Sequence, residues 1–238
     1  MALFYAPNIK NDLTLPEEES QHAVKVLRMV EGDSLEVIDG QGGFYHAKIA
    51  IAHHKKCKVV IENEVQGYHK RPIHLHIAIA PTKNIERIEW FAEKATEIGI
   101  DEITPIICRY SERKVVKRDR IEKILISAMK QSKKAYLPTI NEQTTFNDFM
   151  KSDREGDLFI AHCYEQDKKD LCTTYKANND VTILIGPEGD FSEEEVATAI
   201  KKGYLPISLG ESRLRTETAG VVACHTIELI NQIASING

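Results

Sequence analysis

The chain predicts an α/β protein whose larger part carries a mainly parallel sheet, preceded by a small β-rich part. Three observations carry that expectation. From Ile73 onward, strand-like apolar runs alternate with helix-like patterns, which gives a parallel sheet with covered faces. Before Lys70-Arg71-Pro72, three strand-like runs follow one another with only tight turns between them. In the last quarter, two glycine-bearing loops lie close together, each after an apolar run and before a helix-like pattern. An open α/β sheet places its ligand there, outside the carboxyl ends of its strands.

The elements follow in chain order. Pro16-Glu17-Glu18-Glu19 opens a helix, with proline near its first position and acids in the first turn. His22, Val24, Val26, Leu27 and Val30 supply its apolar content, and Gly32-Asp33 makes a turn. Strands are expected over 34–38, 44–52 and 57–65, and together suggest a small barrel-like domain. The break at Lys70-Arg71-Pro72 divides the chain into domains at 1–70 and 71–238. The second domain begins with a strand over 73–80. A helix over 85–98 follows and is stopped by Gly99. A strand over 103–108 leads to a basic helix over 118–134, ended by Leu137-Pro138. Further strands are expected over 158–163 and 181–185. Ser192-Glu193-Glu194-Glu195 is a capping-box start for a helix that Gly203 stops. The last strand covers 206–209, and a long helix begins at Thr216 or Thr218 and runs to about Ile233.

Composition narrows the function classes. No apolar run approaches the roughly 20 residues of a membrane span, and Met1 to Pro7 lacks the basic and apolar regions of a secretory signal. A cytoplasmic protein without a membrane partner is expected. The five cysteines are scattered with no C-x-x-C pair, and Cys108, Cys163 and Cys224 read as small core residues. His74 and His76 share a face on a strand, but no third ligand stands at a supporting spacing, so no metal is expected. There is no P-loop, no G-x-G-x-x-G after the first strand of the second domain, and no G-x-S-x-G elbow. The net charge of −5 argues against a wholly basic nucleic-acid binder. Locally, Arg113, Lys114, Lys117, Arg118, Arg120, Lys123, Lys130, Lys133 and Lys134 are opposed in their stretch only by Asp119 and Glu122. That stretch is either a solvated helix face or a phosphate-tracking patch.

The paired loops are the sharpest feature. The first is Gly186-Pro187-Glu188-Gly189-Asp190 and the second is Leu209-Gly210 through Leu214-Arg215-Thr216-Glu217-Thr218-Ala219. Glycine lets backbone N–H groups approach a ligand without a Cβ in the way. Alone, Gly-Pro-Glu-Gly also fits an ordinary strand-to-helix turn.

Taken together, these segments resemble the 16S rRNA (uracil(1498)-N(3))-methyltransferase family of the SPOUT superfamily. His22-Ala23-Val24-Lys25-Val26-Leu27-Arg28…Gly32-Asp33 looks like the family's N-terminal signature. Lys94-Ala95-Thr96-Glu97-Ile98-Gly99 with Pro105, and Gln131-Ser132 before Leu137-Pro138, look like its two middle blocks. The chain departs from the family at Asp190, where a second glycine is usual, at Met129-Lys130 before Gln131, and at Ser212-Arg213.

The resemblance implies a trefoil-knotted C-terminal domain, a PUA-like N-terminal domain that grips RNA, and a homodimer. It implies S-adenosylmethionine as cofactor, held by Gly186, Pro187, Glu188, Gly189, Leu209, Gly210, Leu214, Thr218 and Ala219. The implied reaction is methylation of uracil N3 in 16S rRNA, in a small ribosomal subunit or late precursor. Arg215 is the candidate for stabilising charge on a uracil oxygen, and Glu217 the candidate base or orienter of Arg215. Lys25, Arg28, Lys83, Arg109, Arg113, Lys114, Lys130, Lys133 and Lys134 are the candidate RNA contacts. The competing classes are a SPOUT enzyme acting on another rRNA or tRNA position and a non-catalytic RNA-binding protein. The intact Leu214-Arg215-Thr216-Glu217-Thr218-Ala219 argues against the latter.

Overall fold

A computed structural model describes residues 1–165 and 167–237. The chain divides into two compact units, one of Met1–Arg71 with Ile126–Leu137 and one of Pro72–Leu125 with Pro138–Gly238.

The first unit begins with β1 (Leu3–Tyr5), α1 (Ile9–Asp12) and α2 (Glu17–Gln21). Strands β2 (Ser34–Ile38), β3 (Phe44–Ile51) and β4 (Lys58–Val65) follow. Strand β1 pairs parallel to β2, and β2, β3 and β4 form an antiparallel meander. The outer edge of β4 is covered by the chain ahead of α2: the Val59 N–H donates to the Leu13 carbonyl and the Leu15 N–H to that of Cys57, each at 2.9 Å. Alternation along β2 and β3 sends Leu35, Val37, Tyr45, Ala47 and Ile49 into one core with Phe4 and Ile9.

The helix expected after Pro16 has a different form. Pro16 is the residue before its first turn, and α2 passes into a single π-helical turn, His22–Val26. Arg28 then takes the left-handed conformation, φ 56°. This turn breaks the 3.6-residue period on which the apolar assignment rested. Ala23 is buried, whereas Val26, Leu27 and Val30 are exposed.

The second unit starts with β5 (Leu75–Ile79), α3 (Ile85–Ile98), β6 (Glu102–Ile107) and α4 (Arg118–Gln131). Gly99 closes α3 at φ 144°. Helix α4 ends three residues earlier than expected, and Lys133 turns left-handed at φ 53°. Its last turn and the residues to Leu137 belong with the first unit, so the expected boundary misses this excursion. Then come β7 (Thr139–Ile140), β8 (Thr144–Thr145), α5 (Phe146–Phe149), β9 (Asp157–Ala161), β10 (Lys169–Asp170) and α6 (Leu171–Thr174). The chain finishes with β11 (Val181–Ile185), α7 (Glu193–Lys201), β12 (Leu205–Ser208) and α8 (Thr216–Asn237). The capping box at Ser192 and Glu195 forms as the sequence predicts.

Every described pairing in this sheet is parallel, in the order β10-β12-β9-β11-β5-β6-β7, with β8 also beside β6. The two strands buried along their whole length, β5 and β11, lie side by side in the middle. One core joins the sheet to Phe146, Phe149, Phe191 and Tyr204. On α8, Ala223, Cys224 and Ile227 are buried, and the helix packs on α3 and β5. Its Thr216–Ile236 stretch, with mean hydropathy 1.2, is long and apolar enough to cross a membrane by length and composition. Glu217, His225 and Glu228 interrupt it, so it does not stand out as a continuous apolar run in the sequence. Of the five cysteines, Cys57, Cys108 and Cys224 are buried, while Cys163 is exposed rather than in the core: it lies two residues past the end of β9.

Candidate active site

Strands β9, β11 and β12 end at one level, because Ala161 pairs with both Ile185 and Ile207. The loops that leave them surround a cleft of about 560 Å³. Glycine fits two positions there for different reasons. A Cβ on Gly186 would stand 3.0 Å from the Phe191 ring, and Gly210 has φ +122° with open space around it. The Ser208 hydroxyl closes that second turn, accepting from the Gly210 N–H and donating to its carbonyl, each at 3.1 Å. The two loops are tied together by Thr216, whose buried hydroxyl donates to the Gly186 carbonyl at 3.0 Å.

The first loop is braced from outside. The Glu188 carboxylate accepts from the Lys83 backbone N–H at 2.9 Å, and the Arg113 guanidinium donates to the carbonyls of Thr82 and Lys83. Asp190 is left-handed at φ 66°. This conformation is available to glycine at no steric cost and is tolerated by aspartate. The Asp190 carboxylate uses the position, accepting from the Cys163 N–H at 2.7 Å and the Phe191 N–H at 2.8 Å.

Of the residues expected to hold a cofactor, Gly186, Pro187, Glu188, Leu209, Gly210, Leu214 and Ala219 line the cleft, as does Arg215. Gly189 and Thr218 do not. A Cβ on Gly189 would meet the Cβ of Tyr110 at 3.0 Å, so a larger residue there presses on Tyr110 instead of filling the cleft. Glu217 does not line it either. The residue is 8% exposed and its carboxylate faces the Arg87 guanidinium of α3 at 3.7 Å, which leaves Arg215 without it as an orienter.

Sequence reasoning missed His162, Cys163 and Lys168, which form the cleft wall beyond β9. Spacing along the chain gives no signal for them, since only the strand order puts β9 between β11 and β12. His162 is 6% exposed, and among the described residues neither ring nitrogen has a hydrogen-bond partner. Burial lowers its pKa, the nearby Lys168 lowers it further, and Asp190 opposes both.

The expected RNA contacts are dispersed. Lys25, Arg28, Lys114 and Lys133 are exposed. Lys83 pairs with Glu112 at 2.9 Å, and Arg109 with Glu194 at 2.8 Å. Arg113 is spent on backbone carbonyls, and Lys134 is half-buried. Lys130 is paired with Glu19 and largely covered, with its Nζ 5.9 Å from the centre of the Phe4 ring. Arg118 and Arg120 of α4 meet Glu142 and Glu89. The opposing charges of this stretch therefore come from remote segments, which a local count does not register.

The RNA methyltransferase domain family matches residues 69–228, and the RNA methyltransferase PUA domain family matches residues 15–62. The chain is 43% identical to a probable rRNA-methyltransferase from Porphyromonas gingivalis, with a TM-score of 0.92, covering 98% of this chain and 100% of that one. It is 29% identical to a methyltransferase from Legionella pneumophila solved with bound SAM, with a TM-score of 0.86, covering 96% and 97%. Ribosomal RNA small subunit methyltransferase E of Bacillus subtilis is 30% identical over 88% of this chain and 87% of its own length.

Proposed function

Because the chain belongs to the RNA methyltransferase family, we propose that its cleft binds S-adenosylmethionine and that it methylates N3 of uracil 1498 in 16S rRNA of the small subunit. The observation that carries this reading is the cleft itself: three strand ends in register, two loops tied by Thr216 and Gly186, and Arg215 on the lining. The lining fits the cofactor. Ile185, Ile207, Leu209 and Leu214 offer apolar surface for a base, and the orphaned His162 imidazole offers a polar partner. When bound, the cofactor supplies an electrophilic methyl group.

The protein's own task is to hold uracil as N3 gives its proton to solvent water. Arg215, always charged and planar, forks to a uracil oxygen and stabilises the charge that develops there. Glu217 holds the first turn of α8 through Arg87.

Residues 1–70, together with 126–137, act as a PUA-like RNA-gripping domain. Exposed Lys25 and Arg28 beside exposed Val26, Leu27 and Val30 form its contact tip. Residues 71–125 and 138–238 are the knotted SPOUT domain. Its support is that β11 inserts between β5 and β9, and that the chain then passes outside β9 before α8 returns to α3 and β5. Exposed Leu229, Ile233 and Ile236 on α8 are covered by a second copy in a homodimer. The enzyme works in the cytoplasm on assembled or nearly assembled small subunits. Mass spectrometry of 16S rRNA from cells with and without the gene tests this reading. Loss of N3-methyluridine at that one position is expected, and an unchanged methyl map overturns it.

A further inference from the structure

We propose that His162 is a ribose-reading residue of the cofactor site, hydrogen-bonding the sugar hydroxyls of the adenosyl group; this inference rests on the cofactor reading above. Sheet order carries the placement. Strand β9 lies between β12 and β11, and Ala161 is level with Ile207 and Ile185. The two glycine-bearing loops leave the outer two strands of this trio, and His162 is the first residue beyond the middle one. A ligand held at its ends by the two loops lays its middle over His162. For an adenosyl ligand, the middle is the ribose, between the base and the amino-acid tail.

The backbone that carries the imidazole is held in place. The His162 carbonyl accepts from Lys168 Nζ at 2.8 Å, the next N–H is tied to Asp190, and the Tyr164 ring lies 5.7 Å away. Both ring nitrogens are shielded from water and have no hydrogen-bond partner among the described residues. A buried polar group of that kind is a cost to the free protein that a matching ligand group removes. Burial and Lys168 disfavour the charged form of the ring, and Asp190 opposes them. A neutral imidazole has one donor and one acceptor, and a ribose hydroxyl is both.

Calorimetry on the full chain with S-adenosylhomocysteine and its 2′,3′-dideoxy analogue tests the assignment. Wild type should bind the dideoxy analogue about tenfold more weakly. His162→Ala should bind S-adenosylhomocysteine about tenfold more weakly than wild type and distinguish the two ligands by no more than about twofold. His162→Asn, which keeps a donor and an acceptor, should recover part of the discrimination. Equal binding of both ligands by wild type overturns the assignment, even if no variant folds. Wild-type discrimination retained in a folded His162→Ala protein overturns it too, because a merely structural histidine would weaken both ligands alike. Failure of wild type to bind S-adenosylhomocysteine removes the cofactor reading itself, and this assignment with it.

Discussion

The two ends of the parallel sheet carry similar residues in opposite states. At the amino ends, histidines and carboxylates satisfy one another. His74 Nε2 meets Glu102 Oε2 at 2.8 Å, and His76 Nε2 meets Thr104 Oγ1 at 2.7 Å. Asn141 donates to Thr104 and Glu102, Asp180 accepts from the His74 N–H, and Asp101 accepts from the Leu75 N–H. At the carboxyl ends, a histidine with 6% exposure and one Glu217 oxygen are shielded from water with no hydrogen-bond partner among the described residues. Buried polar groups are normally satisfied within the protein, so an unsatisfied ring on the cleft wall has room for a partner brought by a ligand. His74 and His76, the histidine pair most visible in the sequence, thus belong to the structural end. The less conspicuous His162 stands at the working end.

Substitutions at the two ends should separate chemistry from stability. The largest effect is expected at Arg215→Lys, which keeps the charge but loses the planar fork. Single-turnover methylation should slow by about 10²–10³, with S-adenosylhomocysteine affinity close to wild type. Methylation at the wild-type rate would remove Arg215 from the chemistry.

Glu102→Gln acts at the other end. Its hydrogen bond to His74 holds the Glu102 carboxyl at about 2, against an ordinary 4.5. A depressed carboxyl stabilises the fold above its unfolded value, and that contribution is lost as pH falls from about 4.5 toward 2. His76, pushed to about 4 by burial, acts in the same direction, since the unfolded chain takes up its proton first as pH falls below 6.5. His74, raised by its bond to Glu102, opposes them, because its contribution is present below 6.5 and fades at higher pH. Glu102→Gln should cost about 2 kcal/mol in urea unfolding at pH 7 and flatten the acid loss between pH 4.5 and 2. Cofactor affinity should stay within about twofold, and a large loss of binding would break the separation of the two ends.

Gly210→Ala tests the working end without touching a polar side chain. At φ +122° any Cβ is strained, so affinity for S-adenosylhomocysteine should fall about tenfold by calorimetry. Unaltered affinity would show that the second loop does not hold the ligand. The smallest effect is expected for RNA. Lys114→Glu, at an exposed lysine, should lower the magnitude of the salt slope of RNA binding by about 1 and leave cofactor affinity unchanged. An unaltered slope would assign Lys114 to solvent.

Much of this architecture was legible in the residues. The alternation after Pro72, the capping box at Ser192, the stop at Gly99 and both glycine-bearing loops could be read from local patterns, because local propensity and fold agree there. The reading failed where long-range packing decides. The π-helical turn at His22–Val26 and the left-handed Arg28 turn three apolar residues outward against a helical period. Glu19, Glu89 and Glu142 neutralise a basic stretch from far along the chain. Glu217 stands two residues from Arg215 but faces Arg87 instead. Strand order brings His162 between the two loops, and no local pattern encodes strand order.

Selective labelling of the histidine rings and titration with S-adenosylhomocysteine, followed by NMR, compares both ends of the sheet in one sample. Ligand binding should shift the His162 ring resonances strongly and leave those of His74 and His76 in place. Shifts at His74 and His76 with His162 unmoved would put the ligand at the wrong end of the sheet and contradict the assignment of the cleft.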